Sequence, residues 1–221
     1  MRISKSQFSQ LRADRKLVLS LIGMSNIGKT YRARKLAQGG FRHISCDDRI
    51  TKLLLPAFFK AGDQGLADVS EWMGQPFDER FSENQKKYLA AEKEAMEKIF
   101  AEILSPVENT VIDTTGSIVH ADDDIRKRLR NLSLVVYIRA SERMEEEMFE
   151  RYLKKPKPVV FGDAYTRKPD EGRMESLARS YKELLRWRSS LYAQMADVSI
   201  SQEAVRDADA ERFLSILEDV L

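Results

Sequence analysis

The chain has 221 residues, enough for one well-buried α/β domain with an insertion, and its 43% hydrophobic and 33% charged content argues against wholesale disorder. Its 37 basic residues nearly balance 35 acidic ones, which disfavours a dedicated nucleic-acid binder, and no apolar run reaches the roughly 18 residues of a bilayer span. One cysteine, Cys46, excludes an intramolecular disulfide and a cysteine-rich zinc site; two histidines, His43 and His120, make no typical metal site alone, and the setting expected is reducing and cytoplasmic.

Met1–Lys16 is basic without the apolar core of a secretory signal, and residues 1–15 read as a short N-terminal helix or arm. Asp14 is its sole acid, so an organelle-targeting segment is the alternative. From there short β-type runs alternate with longer helical ones, the pattern of a parallel sheet flanked by helices. Lys16–Ile22 (KLVLSLI) reads as a buried strand and Lys29–Ala37 as the helix after it. Phe41–Ser45 is a second strand ending near Cys46, Asp47 and Asp48. Those aspartates have two readings: N-caps of a helix beginning near Arg49, or acids at a strand end where ligands bind in such folds. Glu83–Leu104 is a long helix, and Thr110–Ile112 a third strand running into Asp113 and a Thr-Thr-Gly-Ser turn. Leu132–Ile138 (LSLVVYI) is an unbroken strand; Ser141–Tyr152 and Met174–Met195 are helical. Val198–Ile200 is a last strand, and Ala208–Leu221 an amphipathic helix. Two stretches resist this alternation. Leu54–Phe77, with Pro56, Gly62, Gly65, Gly74 and Pro76, reads as an insertion of short helices and turns. Lys154–Gly172, with Pro156, Pro158, Gly162, Pro169 and Gly172 among many charges, reads as a mobile lid.

Gly23-Met24-Ser25-Asn26-Ile27-Gly28-Lys29-Thr30 matches the P-loop pattern G-x-x-x-x-G-K-[ST] at every fixed position, between a strand and a helix. Glycines let the backbone curl so that the amides of Gly23, Ser25, Asn26, Ile27 and Gly28 cradle phosphate oxygens, and the helix presents its free N-terminal amides to the same anion. Lys29 would reach the β- and γ-phosphates, and the Thr30 hydroxyl would hold magnesium. The bland alternative is a tight strand-to-helix turn with a solvated lysine. No guanine-reading Asn/Thr-Lys-x-Asp motif is present, and no Glu follows Asp113 as it would in an ATPase machine. The class expected is an ATP- and Mg2+-dependent kinase for a small molecule.

With these motifs in place, the sequence resembles the shikimate kinase family of small P-loop kinases over most of its length. The resemblance implies a three-layer αβα P-loop NTPase fold with a five-stranded parallel sheet, one domain over 1–221, a substrate-side insertion at about 51–80 and a lid at about 152–172. In Ser45-Cys46-Asp47-Asp48-Arg49-Ile50 it implies that Asp47 contacts the substrate hydroxyls near the transferred group. Ser45 stands where the family has an aspartate that helps organise magnesium, with Asp48 or Asp113 as stand-ins. Arg80-Phe81-Ser82-Glu83 resembles the family's Arg-x-x-Glu, and Thr115-Gly116-Ser117 keeps the central member of its glycine triplet. Arg151 and Lys157-Pro158-Val159-Val160 resemble the adenine-side arginine and the lid's Arg-Pro-Leu-Leu. Arg188-Ser189-Ser190-Leu191-Tyr192 with Ala196-Asp197 resembles the C-terminal motifs, without their proline.

What the resemblance implies is therefore a catalytic pair, Lys29 and Asp47, and nucleotide contacts from the P-loop, Arg151 and Lys157. Asp47, Arg80, Gly116 and Arg188 would bind substrate, the two arginines on a carboxylate, since guanidinium pairs with it bidentately. The expected acceptor is shikimate or a similar carboxylated metabolite, and the protein a cytoplasmic monomer without a membrane or nucleic-acid partner. Alternatives are a sugar acid, nucleoside or nucleic-acid end as acceptor, or, given Ser45, a nucleotide-binding regulator without transfer activity. His43 and His120 carry no expected role, Cys46 reads as a buried filler, and Trp72 and Trp187 read as packing.

Overall fold

The computed structural model describes residues 3–58, 65–154 and 157–221. Five strands, β1 Val18–Ile22, β2 Arg42–Ser45, β3 Thr110–Asp113, β4 Leu134–Arg139 and β5 Val198–Ser201, form one parallel sheet in the order β2-β3-β1-β4-β5. The helices are α1 Lys5–Ala13, α2 Lys29–Gln38, α3 Cys46–Phe58, α4 Leu66–Met73, α5 Phe81–Ile103, α6 Asp123–Leu132, α7 Glu142–Lys154, α8 Arg173–Met195, α9 Gln202–Val205 and α10 Ala210–Asp219. They cover both sides of the sheet, as the alternating pattern predicts. Among the described residues no helix is long and apolar enough to cross a membrane.

The central strand explains the architecture. Every residue of β1 is buried, so it needs neighbours on both edges and layers on both faces, and it pairs with β3 and β4. Its one polar residue, Ser20, meets Ser133 through a hydroxyl–hydroxyl contact of 2.7 Å. Leu21 and Ser45 both stand opposite Asp113, so β1, β2 and β3 finish level with one another. Loops leaving the three strands therefore share one rim. The N-terminal stretch forms α1, whose Phe8 is 1% exposed and which packs on α10, with Arg12 paired to Glu211.

Two local expectations are corrected. The helix expected near Arg49 begins at Cys46, because the Ser45 hydroxyl accepts from the Asp48 amide at 3.2 Å; Asp47 and Asp48 lie inside its first turn and are not its cap. Leu132 ends a helix instead of starting a strand. That helix, α6, is charge-dense and was not expected, but Asp122 caps it by accepting from the Ile125 amide at 2.9 Å, and Ile125 and Leu129 bury one face. The stretch 157–172 has no regular secondary structure, yet Val159, Val160 and Phe161 are buried in the core. Of the two irregular stretches, residues 59–64 and 155–156, including Gly62 and Pro156, lie outside the described residues.

Candidate active site

The level rim of β1, β2 and β3 encloses a cavity of about 220 Å³. Ser25, Asn26, Gly28, Lys29 and Thr30 line it from the loop after β1. Asp47 of α3, Tyr88 of α5, Asp113 at the end of β3, and Thr114 and Gly116 after it complete its walls, with Lys157 and Pro158 from the irregular stretch before α8.

The loop takes its shape from three residues with positive φ, Gly23 at 142°, Asn26 at 66° and Gly28 at 102°, and a Cβ at Gly28 would meet nothing within 4 Å. Conformation, not space, therefore calls for glycine there. Gly28 is the N-cap of α2, and with Lys29 and Thr30 of its first turn it lines the cavity, where the first-turn amides lack intrahelical acceptors. Lys29 is 6% exposed and donates from Nζ to the carbonyls of Gly23 and Met24 at 2.8 and 3.0 Å. An ammonium has three donors, so one is left for a ligand. Burial lowers its pKa, while the nearby Asp113 and Asp47 work the other way.

Asp47 is half-buried at the mouth of α3, and desolvation raises its carboxyl to about 6 despite the attraction of Lys29. Asp113 adds repulsion in the same direction. Among the described residues no three of His, Cys, Asp and Glu gather as a metal-holding cluster. Thr30, Asp47 and Asp113 do put oxygen donors on one cavity. That set fits magnesium, which takes one or two carboxylates and leaves its remaining positions to phosphate and water.

Gly116 is required by its neighbours. A Cβ there would lie 2.6 Å from Ser25 Oγ and 3.1 Å from the Ser25 amide nitrogen, pressing on the loop itself, and the Gly116 carbonyl accepts from Tyr192 Oη at 2.5 Å. Gly116→Ala should therefore weaken magnesium-ATP binding by roughly ten-fold through overpacking. Calorimetry checks this, and unchanged affinity would mean that the loop yields freely.

Reasoning from sequence missed Tyr88 and Glu92. Glu92 is 2% exposed, and its Oε1 accepts from the hydroxyls of Thr115 and of Ser117, the latter at 2.8 Å. Its Oε2 has no partner among the described residues, and burial holds its carboxyl up at about 7. A signal was present: Glu92 is the one charged residue on the buried face of α5 that carries Tyr88, Ala91, Ala95, Met96 and Ile99.

The expected residues divide accordingly. Asp47, Lys157, Gly116 and most of the P-loop share the cavity; Gly23 offers its carbonyl to Lys29, and Ile27 is buried beneath the loop. Arg188 is 3% exposed, and its Nη1 comes 3.6 Å from the position of a Cβ on Gly116. Arg80 stands elsewhere, exposed in a groove of about 1130 Å³ with Trp72, Phe77 and Arg173, because it precedes α5 while Tyr88, about two turns into that helix, lines the cavity. Arg151 is exposed on α7 and donates to Glu147 at 2.6 Å.

No family model and no curated protein matches the sequence. Among solved structures the chain is similar to the shikimate kinase from Acinetobacter baumannii in complex with shikimate, at 16% identity and TM-score 0.58, covering 95% of this chain and 93% of that one. It is also similar to shikimate kinase from Bacteroides thetaiotaomicron (16% identity, TM-score 0.54) and from Aquifex aeolicus (15%, 0.53), each covering 92% of this chain and 97% of the other. At these identities the likeness shows a shared fold.

Proposed function

We propose that this chain, whose fold is that of shikimate kinases, transfers the γ-phosphoryl group of ATP to a hydroxyl of a small metabolite, with shikimate the leading acceptor. One observation carries the reading: Lys29 of the phosphate-binding loop and Asp47 border the same small cavity at the ends of the parallel strands. In the proposed reaction the acceptor oxygen bonds to the γ-phosphorus and gives its proton to Asp47. The bond from that phosphorus to the bridging oxygen breaks, and ADP leaves. A carboxyl held near 6 is mostly ionised at neutral pH, yet more basic than an ordinary aspartate, which suits it to that proton.

Loop amides and Lys29 would neutralise the polyphosphate, and Lys157 adds a cation from the lid side. Magnesium, when bound, supplies further neutralisation; Thr30 with Asp113 would hold it. Arg188 is proposed to meet a carboxylate on the acceptor, and Arg151 the adenine side of the nucleotide.

A second acceptor class, a sugar acid, nucleoside or nucleic-acid end, is favoured by Arg80. Of the two arginines expected on a carboxylate, only Arg188 lies beside the cavity. ADP release with magnesium-ATP and a panel of acceptors separates the readings. Stimulation by shikimate supports the first, and stimulation by another hydroxylated compound alone supports the second. ATP binding with no acceptor-dependent release refutes both and points to a nucleotide-binding regulator.

A further inference from the structure

His120 had no expected role, but it closes the 3-10 turn Ile118–His120 just after Gly116, and it holds Arg188. Arg188 directs Nε and Nη2 at His120 Nε2, at 3.3 and 3.2 Å, and Nη2 also donates to the Val160 carbonyl at 2.5 Å. A guanidinium has donors only, so Nε2 presents its lone pair, and the imidazole is neutral with its hydrogen on Nδ1. Its surroundings keep it neutral: burial, then Arg188 and Arg126, push its pKa down to about 3. The ring is gripped from two sides. It lies 4.8 Å from the Trp187 ring, and a Cβ at Gly162 would come 3.4 Å from its Cε1 and Nδ1. With Nε and Nη2 engaged, Nη1 beside Gly116 has no hydrogen-bond partner among the described residues.

We propose that His120 is a positioning residue for the acceptor end of the site: it holds the Nε–Nη2 edge of Arg188, so that Nη1 alone meets the anionic group of the substrate. This rests on the reading of Arg188 as a carboxylate contact. The consequence is a specificity rule. Both forks that a free guanidinium offers a carboxylate use Nη2, so here the anion is met through one nitrogen. A substrate with a single anionic group and neighbouring hydroxyls suits that better than one needing a full fork.

The test uses His120→Ala and His120→Gln in the full chain. It measures the KM for shikimate, kcat, magnesium-ATP affinity and melting temperature, with 15N shifts of the wild-type imidazole as a separate readout. His120→Ala is expected to raise the acceptor KM by roughly ten-fold, the worth of a hydrogen bond to a charged group, with magnesium-ATP affinity unchanged. His120→Gln, whose amide oxygen also accepts, should recover most of the loss. A folded His120→Ala protein with an unchanged acceptor KM overturns the role. So does a glutamine variant as impaired as the alanine one. The imidazole should remain the neutral Nδ1–H form between about pH 5 and 8, and a titrating ring or the Nε2–H form overturns the clamp whatever the acceptor proves to be. A wild type that turns over no carboxylated acceptor fails the functional reading and, with it, the positioning role; the shifts alone then decide whether the clamp exists.

Discussion

Replacing Asp47 by asparagine is expected to cut kcat by roughly 10²–10⁴-fold, the usual worth of a positioned general base. The fall should come with a changed pH profile. In the wild type, kcat/KM should climb as pH rises through about 6, where the Asp47 carboxyl loses its proton, and in the asparagine variant that limb should be gone. A surviving limb near pH 7 would instead point to Glu92, the other buried carboxyl close by.

The same substitution should stabilise the fold. The folded pKa of Asp47 lies above its ordinary value, so the stability it contributes is fully present below about 3.8 and is lost as pH rises through about 6. At pH 7 to 8 the ionised carboxylate opposes folding, and asparagine mimics the protonated form. A gain on the order of 2 kcal/mol by urea unfolding at pH 8, vanishing by about pH 4, is the expected signature. A loss of stability at pH 8 would mean that the attraction of Lys29 outweighs desolvation, and that the proton is held less tightly than the geometry implies.

Lys29→Ala is expected to lower turnover by roughly 10²–10³-fold or more, since it deletes a buried cation on the loop after β1 that can follow charge onto the transferred group. Nucleotide affinity should fall as well. The melting temperature should change little: burial depresses the lysine's pKa, so the ammonium is itself a cost to the fold, and its loss offsets the two carbonyl contacts it makes to Gly23 and Met24. Full turnover in the alanine variant would remove the phosphate-binding loop from the mechanism.

Much of the sheet was legible because its physics is local. KLVLSLI and LSLVVYI are apolar runs too continuous for a half-exposed surface, and β1 and β4 lie centrally, buried nearly throughout. The position and backbone shape of loop 23–30 were legible for a similar reason, since its glycine spacing is a backbone requirement met by neighbouring residues. Helix α6 was obscured because charge hid a two-residue apolar stripe. The start of α3 was misplaced because aspartate and serine are both good caps, and only the geometry shows Ser45 accepting the bond.

From the sequence alone came the glycine-bracketed loop between β1 and α2, the strand ends that flank it and the choice of Asp47 as a candidate, because each depends on residues close together in the chain. Which distant side chains share the cavity was decided by the tertiary structure. Register brings Asp113 level with Ser45, the turns of α5 bring Tyr88 and Glu92 toward Asp47 while leaving Arg80 outside, and the packing of α8 sets Arg188 against His120. Such meetings depend on how elements pack, and spacing along a single chain does not encode that.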